Sequence, residues 1–103
     1  MLVAFSVAPS SADPSGSVSE AVAAAVRVVR ASGLPNSTDS MFTTLEGSWE
    51  ECMAVVKAAC DVVGGYGDRV SLVLKADIRP GFEGQLTAKV QRVEDLLARD
   101  TSS

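Results

Sequence analysis

Histidine does not occur among the 103 residues. Its absence removes the commonest general base, the usual imidazole metal ligand and any Ser-His or Cys-His nucleophile. Cysteine is scarce as well: Cys52 and Cys60 stand eight positions apart in a segment that reads as one helix. At ~1.5 Å per residue they would lie ~12 Å from each other, beyond the ~7 Å that a disulfide spans. They are expected to be buried apolar fillers. No apolar run approaches the ~20 residues of a membrane span, and the Met-Leu-Val-Ala-Phe-Ser start has no basic region ahead of it, so a cytoplasmic protein with no membrane partner is expected. The net charge is -4 and the cations do not cluster, so the footprint that a phosphate backbone requires is missing and nucleic acid is not an expected partner. A Gly-rich phosphate cradle is also missing. Proton transfer would be left to carboxylates, Lys75 or Tyr66, and neither catalytic nor metal-ligating residues are assigned.

What is present is enough apolar sequence, 47% of the chain, for one core and one domain. That domain is expected over residues 1–98, with 99–103 a disordered tail. Leu2 to Ala8 alternates as a strand and stops at Pro9, followed by the loop sequence Pro-Ser-Ser-Ala-Asp-Pro-Ser-Gly. Ser-Val-Ser-Glu at Ser17–Glu20 fits a capping box, Val18, Val22, Ala25, Val26 and Val29 recur at helical spacing, and Gly33 suits the end of that helix. A hairpin follows, with strands near Asn36–Ser40 and Phe42–Gly47. Ser48–Glu51 repeats the capping box ahead of a second helix, whose stripe is Cys52, Val55, Val56, Ala59, Cys60 and Val63. Then Arg69–Arg79 alternates as a strand, with Val70, Leu72, Leu74, Ala76 and Ile78 on one side. A third amphipathic segment runs from about Glu83 to Ala98, with Leu86, Val90, Val93 and Leu97 on one face.

Two right-handed βαβ crossovers joined by a hairpin predict an α+β, ferredoxin-like βαββαβ sandwich with an extra C-terminal helix. Both main helices would cover one sheet face and leave the other bare. The first and last strands are expected as central neighbours, which sets Ala4, Ser6 and Ala8 beside Ser71, Val73, Lys75 and Asp77 on the bare face. A solvated sheet face would show the same alternation. Uncovered apolar groups, Val73 and Phe42 among them, predict a homodimer or homotetramer.

The runs "FSVAP", "SVSEAVAAAV", "MFTTLEGSWEECMAVVKAAC" and "RVSLVLKADIRPG", in this order, resemble the thiamine-binding protein family of the YkoF type over nearly the whole chain. The resemblance implies a non-catalytic protein that binds thiamine or its hydroxymethylpyrimidine moiety, without a cofactor, in a pocket on the sheet near a subunit contact. It matches the family's Met-x-Thr-x-x-Glu-Gly run to Met41, Thr43, Glu46 and Gly47, and its Lys-x-Asp-x-Arg end to Lys75, Asp77 and Arg79. The chain departs from the family at Asp39-Ser40 and Phe42, where Thr-Pro and Gly are frequent. For such a ligand Ser6, Asp39, Thr43, Glu46 and Asp77 would serve the aminopyrimidine edge, and Met41 and Phe42 would flank a ring. Lys75 and Arg79 would pair with Asp77 and Glu46 or select a phosphorylated form.

Plainer roles stand beside these. Glu46 would sit near a helix N-terminus, Met41 in the core and Trp49 at a helix end. The alternatives to a thiamine binder are a structural or regulatory oligomerisation module and a small carboxylate-based enzyme on the same fold.

Overall fold

A computed structural model of the chain describes residues 1–9 and 17–101, the side chains of Ser17 and Thr101 excepted. Strand β1, Leu2–Pro9, follows its alternation: Val3, Phe5 and Val7 are buried on one face, while Leu2, Ala4, Ser6 and Ala8 are half-buried on the other. Helix α1, Ser17–Ala31, buries Ala21, Ala25 and Val29 as its inner row. Val18, Val22 and Val26 form the row beside it. Gly33, at φ 79°, takes the left-handed conformation that ends the helix. The capping box expected at Ser17 falls on side chains outside the described residues.

The hairpin strands β2, Asn36–Thr38, and β3, Thr43–Glu46, are shorter than the sequence suggests. Asp39 is the reason: its Oδ1 accepts from the backbone N–H of Met41 at 2.8 Å and of Phe42 at 2.9 Å, so the chain turns over Asp39 to Phe42 and β2 ends two residues earlier. Those two hydrogen bonds hold the Asp39 carboxyl below the ordinary aspartate range. Helix α2, Trp49–Val63, starts on the expected capping box, with Ser48 Oγ accepting from Glu51 N and Glu51 Oε1 from Ser48 N. Its stripe Cys52, Val56, Ala59 and Val63 is buried. Burial pushes the Cys52 and Cys60 thiols up, and neither forms a disulfide. A short 3₁₀ turn at Gly64–Tyr66 leads to β4, Val70–Asp77, and helix α3, Gln85–Thr101, closes the order.

The sheet runs β2-β3-β1-β4 with every neighbouring pair antiparallel, the ferredoxin-like plait. The last strand is a neighbour of β1 but lies on the sheet edge, a correction to its expected central place. Each crossover must skip one strand position, β1 to β2 across β3 and β3 to β4 across β1, which leaves only β1 and β3 inside. Both α1 and α2 pack on β1. Leu74 and Ala76 therefore reach the core, whereas Val70, Leu72 and Ile78 remain exposed. The core itself joins Val3 and Phe5 of β1, Leu45 of β3, Val29 of α1 and Cys52, Val56 and Val63 of α2.

Helix α3 leaves this body. Its residues from Lys89 to Asp100 are all exposed, and the radius of gyration is 16.0 Å where a compact domain of this length has about 13 Å. The helix also passes Ala98 and continues to Thr101, so residues 99–101, expected in a tail, are helical: Arg99 in the last turn suits the helix C-terminus, and no Gly or Pro interrupts it.

Candidate functional site

Two concavities lie at opposite ends of β1. The first is a cleft of about 170 Å³ between α1 and the tip of the β2–β3 hairpin. Phe5 and Val7 of β1 form its floor, Val22 and Val26 of α1 one wall, and Thr38 to Thr43 the other, with Ser6 and Ala8 bordering it while their side chains lie on the opposite sheet face. Thr38 Oγ1 and Thr43 Oγ1 lie 3.2 Å apart and share a hydrogen bond. Met41 is 72% exposed at the rim, so it is not a core residue: the Asp39 turn carries it outward. Phe42 is half-buried beside it. Ser6, Asp39, Met41, Phe42 and Thr43 all border this cleft.

The second concavity, about 620 Å³, opens between the start of α2 and the segment joining β4 to α3. Trp49, Ile78, Pro80 and Phe82 give it apolar walls, and Glu46, Glu51 and Arg79 its charges. The Pro80-Gly81 pair makes a tight turn, closed by Phe82 N donating to Arg79 O at 3.2 Å with Gly81 at φ 81°. That turn folds the Arg79 guanidinium over the Phe82 ring, 3.7 Å from its centroid.

The structure thus separates the sequence-selected residues. Glu46, Asp77 and Arg79 gather where α3 meets the sheet, about 13 Å from Ser6 by the rise of a strand over the four residues to Leu2. Lys75 lies opposite Ala4 on the open sheet face and borders neither concavity. Ion pairs of Lys75 and Arg79 with Asp77 and Glu46 are not formed. Asp77 Oδ2 instead accepts from Lys89 Nζ of α3 at 2.6 Å, and that contact is the main reason its carboxyl sits below the usual aspartate range.

Glu46 has a task that the sequence conceals. Its Oε2 accepts from Gln85 N at 2.8 Å and its Oε1 from Leu86 N at 3.4 Å, so a side chain from β3 caps the N-terminus of α3. Gly84, at φ 69°, precedes the helix and offers no side chain of its own. Negative charge near a helix start is what the sequence suggested for Glu46; the helix served is α3 and not α2. Thr38, Val22 and Val26 were overlooked as cleft residues. The two valines form a second helical row one position from the buried one, and an off-centre row is the only sign the sequence carries.

Fold and cleft together define a ferredoxin-like plait with a small mixed-polarity cleft bounded by hydroxyls, a thioether and an aromatic ring. The chain belongs to the thiamine-binding protein family, whose pattern matches residues 3–94. A UPF0045 protein of Mycobacterium bovis is 51% identical over 100 residues, 96% of each chain. Among solved structures, a hypothetical protein of Methanocaldococcus jannaschii is 30% identical with a TM-score of 0.80, over 90% of this chain and 94% of that one. A candidate thiamine biosynthesis/salvage protein of Thermotoga maritima shares the fold, at 23% identity and a TM-score of 0.72, over 87% of this chain and 96% of that one. Among the described residues, no helix is long and apolar enough to cross a membrane.

Proposed function

We propose that the protein is a cytoplasmic, non-catalytic binder of thiamine or its hydroxymethylpyrimidine moiety, and that the pyrimidine ring enters the cleft between α1 and the hairpin tip. Membership of the thiamine-binding family supports this ligand class. The observation that carries the location is the meeting of Thr38, Met41, Phe42 and Thr43 around one cleft. The Thr38 and Thr43 hydroxyls suit the donor and acceptor edge of an aminopyrimidine, and the Phe42 ring and Met41 thioether suit its faces. A volume of about 170 Å³ is below that of pockets enclosing drug-sized ligands. One ring fits and the thiazolium stays at the mouth, near the exposed Asp39.

A second location has its own support: the wider concavity sets Trp49 and Phe82 beside Glu51 and Glu83, aromatic and acidic groups that suit a cationic ring. In either location the protein acts as a homodimer or homotetramer, because the open sheet face leaves Val73 more than half exposed.

Isothermal titration with thiamine, thiamine diphosphate and hydroxymethylpyrimidine tests the reading. Saturable binding is expected, weakened about ten-fold by Phe42→Ala and unchanged by Trp49→Ala. The reverse pattern moves the site to the wider concavity. Silence from all three ligands overturns the ligand class and leaves an oligomerisation module.

A further inference from the structure

The cleft between α1 and the hairpin tip carries a single charged side chain. Its lining is apolar or hydroxylic, from Phe5, Val22 and Val26 to Thr38 and Thr43, and only Asp39 is ionisable. That carboxylate is held from two sides. Asp39 N donates to Phe42 O at 3.0 Å, and Asp39 Oδ1 accepts from Met41 N at 2.8 Å and from Phe42 N at 2.9 Å, so backbone and side chain are both fixed at the rim. Oδ1 is therefore spent on the turn and not on the aminopyrimidine edge that the sequence suggests for it. Oδ2 accepts from no group among the described residues. The hydrogen bonds from Phe42 and Met41 hold the carboxyl below the ordinary aspartate range, which leaves it ionised at neutral pH.

No cation lines the cleft beside it. Arg27 and Arg30 of α1 are exposed and do not border the cleft, and Lys75 lies on the opposite sheet face. Arg79 and Lys89 gather with Asp77 at the other end of β1, about 13 Å away by the rise of the strand and beyond the ~10 Å over which an exposed charge acts at 0.1 M salt. Size completes the picture. A cleft of about 170 Å³ holds one ring, so whatever is attached to that ring stays at the mouth, beside the fixed carboxylate. We propose that Asp39 makes the cleft selective by charge: it takes a pyrimidine with a cationic substituent, as thiamine carries its thiazolium, in preference to the neutral hydroxymethylpyrimidine and to phosphate esters of either. This rests on the reading of the cleft as the pyrimidine site and adds to it the charge of the ligand.

Exposure sets the size of the effect. An ion pair open to water changes an affinity by a few-fold and is screened by salt, so the thiazolium gains about five-fold over a neutral substituent. A phosphate group meets the same carboxylate with the opposite sign and finds no lining cation. The net charge of -4 acts in the same direction over a longer range, drawing cations toward the chain. Because the turn already fixes the carboxylate, its ordering adds no cost on binding. Asparagine at position 39 keeps an Oδ1 acceptor for the two backbone N–H groups and removes only the charge.

The test is isothermal titration of the full chain with thiamine, hydroxymethylpyrimidine and thiamine diphosphate, at low salt and at about 0.5 M sodium chloride, repeated with Asp39→Asn and with Ser40→Lys. The second variant offsets the charge at the rim without altering a hydrogen bond of the Asp39 side chain. The expected order of affinity is thiamine, hydroxymethylpyrimidine, thiamine diphosphate, with thiamine about five-fold ahead of hydroxymethylpyrimidine at low salt. That lead falls to within about two-fold in either variant, and in the unmutated chain at high salt. A lead that survives in both variants, the absence of any lead at low salt, or thiamine diphosphate bound as tightly as thiamine overturns the charge selection and leaves the pyrimidine site standing. Binding of none of the three ligands overturns the site itself and the selection with it.

Discussion

Helices α2 and α3 are of similar length and carry apolar stripes of similar period, yet α2 buries Cys52, Val56, Ala59 and Val63 while α3 leaves Val90, Val93 and Leu97 in solvent. Their starts differ in the same sense. α2 is capped by its own Ser48 and Glu51, two residues of the local sequence. α3 follows Gly84 and is capped by Glu46, a residue 39 positions earlier on another element. The lesson is that an amphipathic period states that a face must be covered and says nothing about which surface covers it. A helix is independent of its surroundings only to the extent that its cap and its stripe partner belong to the same folding unit.

The comparison breaks most sharply in the core beneath α2. Leu45→Ala removes a fully buried side chain from the layer between β3 and the helices and is expected to cost about 2–5 kcal/mol, read as a lower midpoint in denaturant unfolding. Next come two cap deletions of the same kind with different consequences. Glu46→Ala is expected to cost about 1–2 kcal/mol and to release α3, seen as a loss of helical circular dichroism well below the global unfolding midpoint. Ser48→Ala is expected to cost about 1 kcal/mol with no such early loss, because the buried stripe of α2 keeps that helix in place. Equal early losses in both variants would erase the distinction between the helices.

The smallest effect is electrostatic. Lys89 lowers the Asp77 carboxyl in the folded chain, so the contact contributes fully above the ordinary aspartate value of about pH 4 and is lost as pH falls through the lower folded value. Both partners are about half exposed, at 51% and 43%, so the contribution is weak and salt removes it. Lys89→Met is expected to remove the part of the acid dependence of α3 that comes from Asp77 and to leave the plait unchanged, as followed by circular dichroism between pH 7 and pH 3.

Much of the plait was legible because its information is local. The alternation of Val3, Phe5 and Val7, the capping box at Ser48 and the stripe of α2 each lie within a few residues, and the order of elements then leaves one topology. The edge position of β4 was misread because a strand's period reports that one side is apolar, and not how far a helix reaches over it. Leu72 and Ile78 look like core residues and are exposed for that reason. The selected site residues divided between two ends of β1, since a sequence match lists positions and carries no distance. Glu46 was the least legible of all: its partners, Gln85 N and Leu86 N, are backbone groups without a side-chain signature.

The central claim, a pyrimidine site between α1 and the hairpin tip, is tested most directly by mapping amide chemical shifts of the isotopically labelled protein while hydroxymethylpyrimidine is added. The account predicts saturable shifts concentrated at Ser6, Val22 and Thr38 to Thr43, with Trp49 and Ile78 to Phe82 unmoved. Shifts confined to Trp49 and the segment before α3, or none at millimolar ligand, would contradict it.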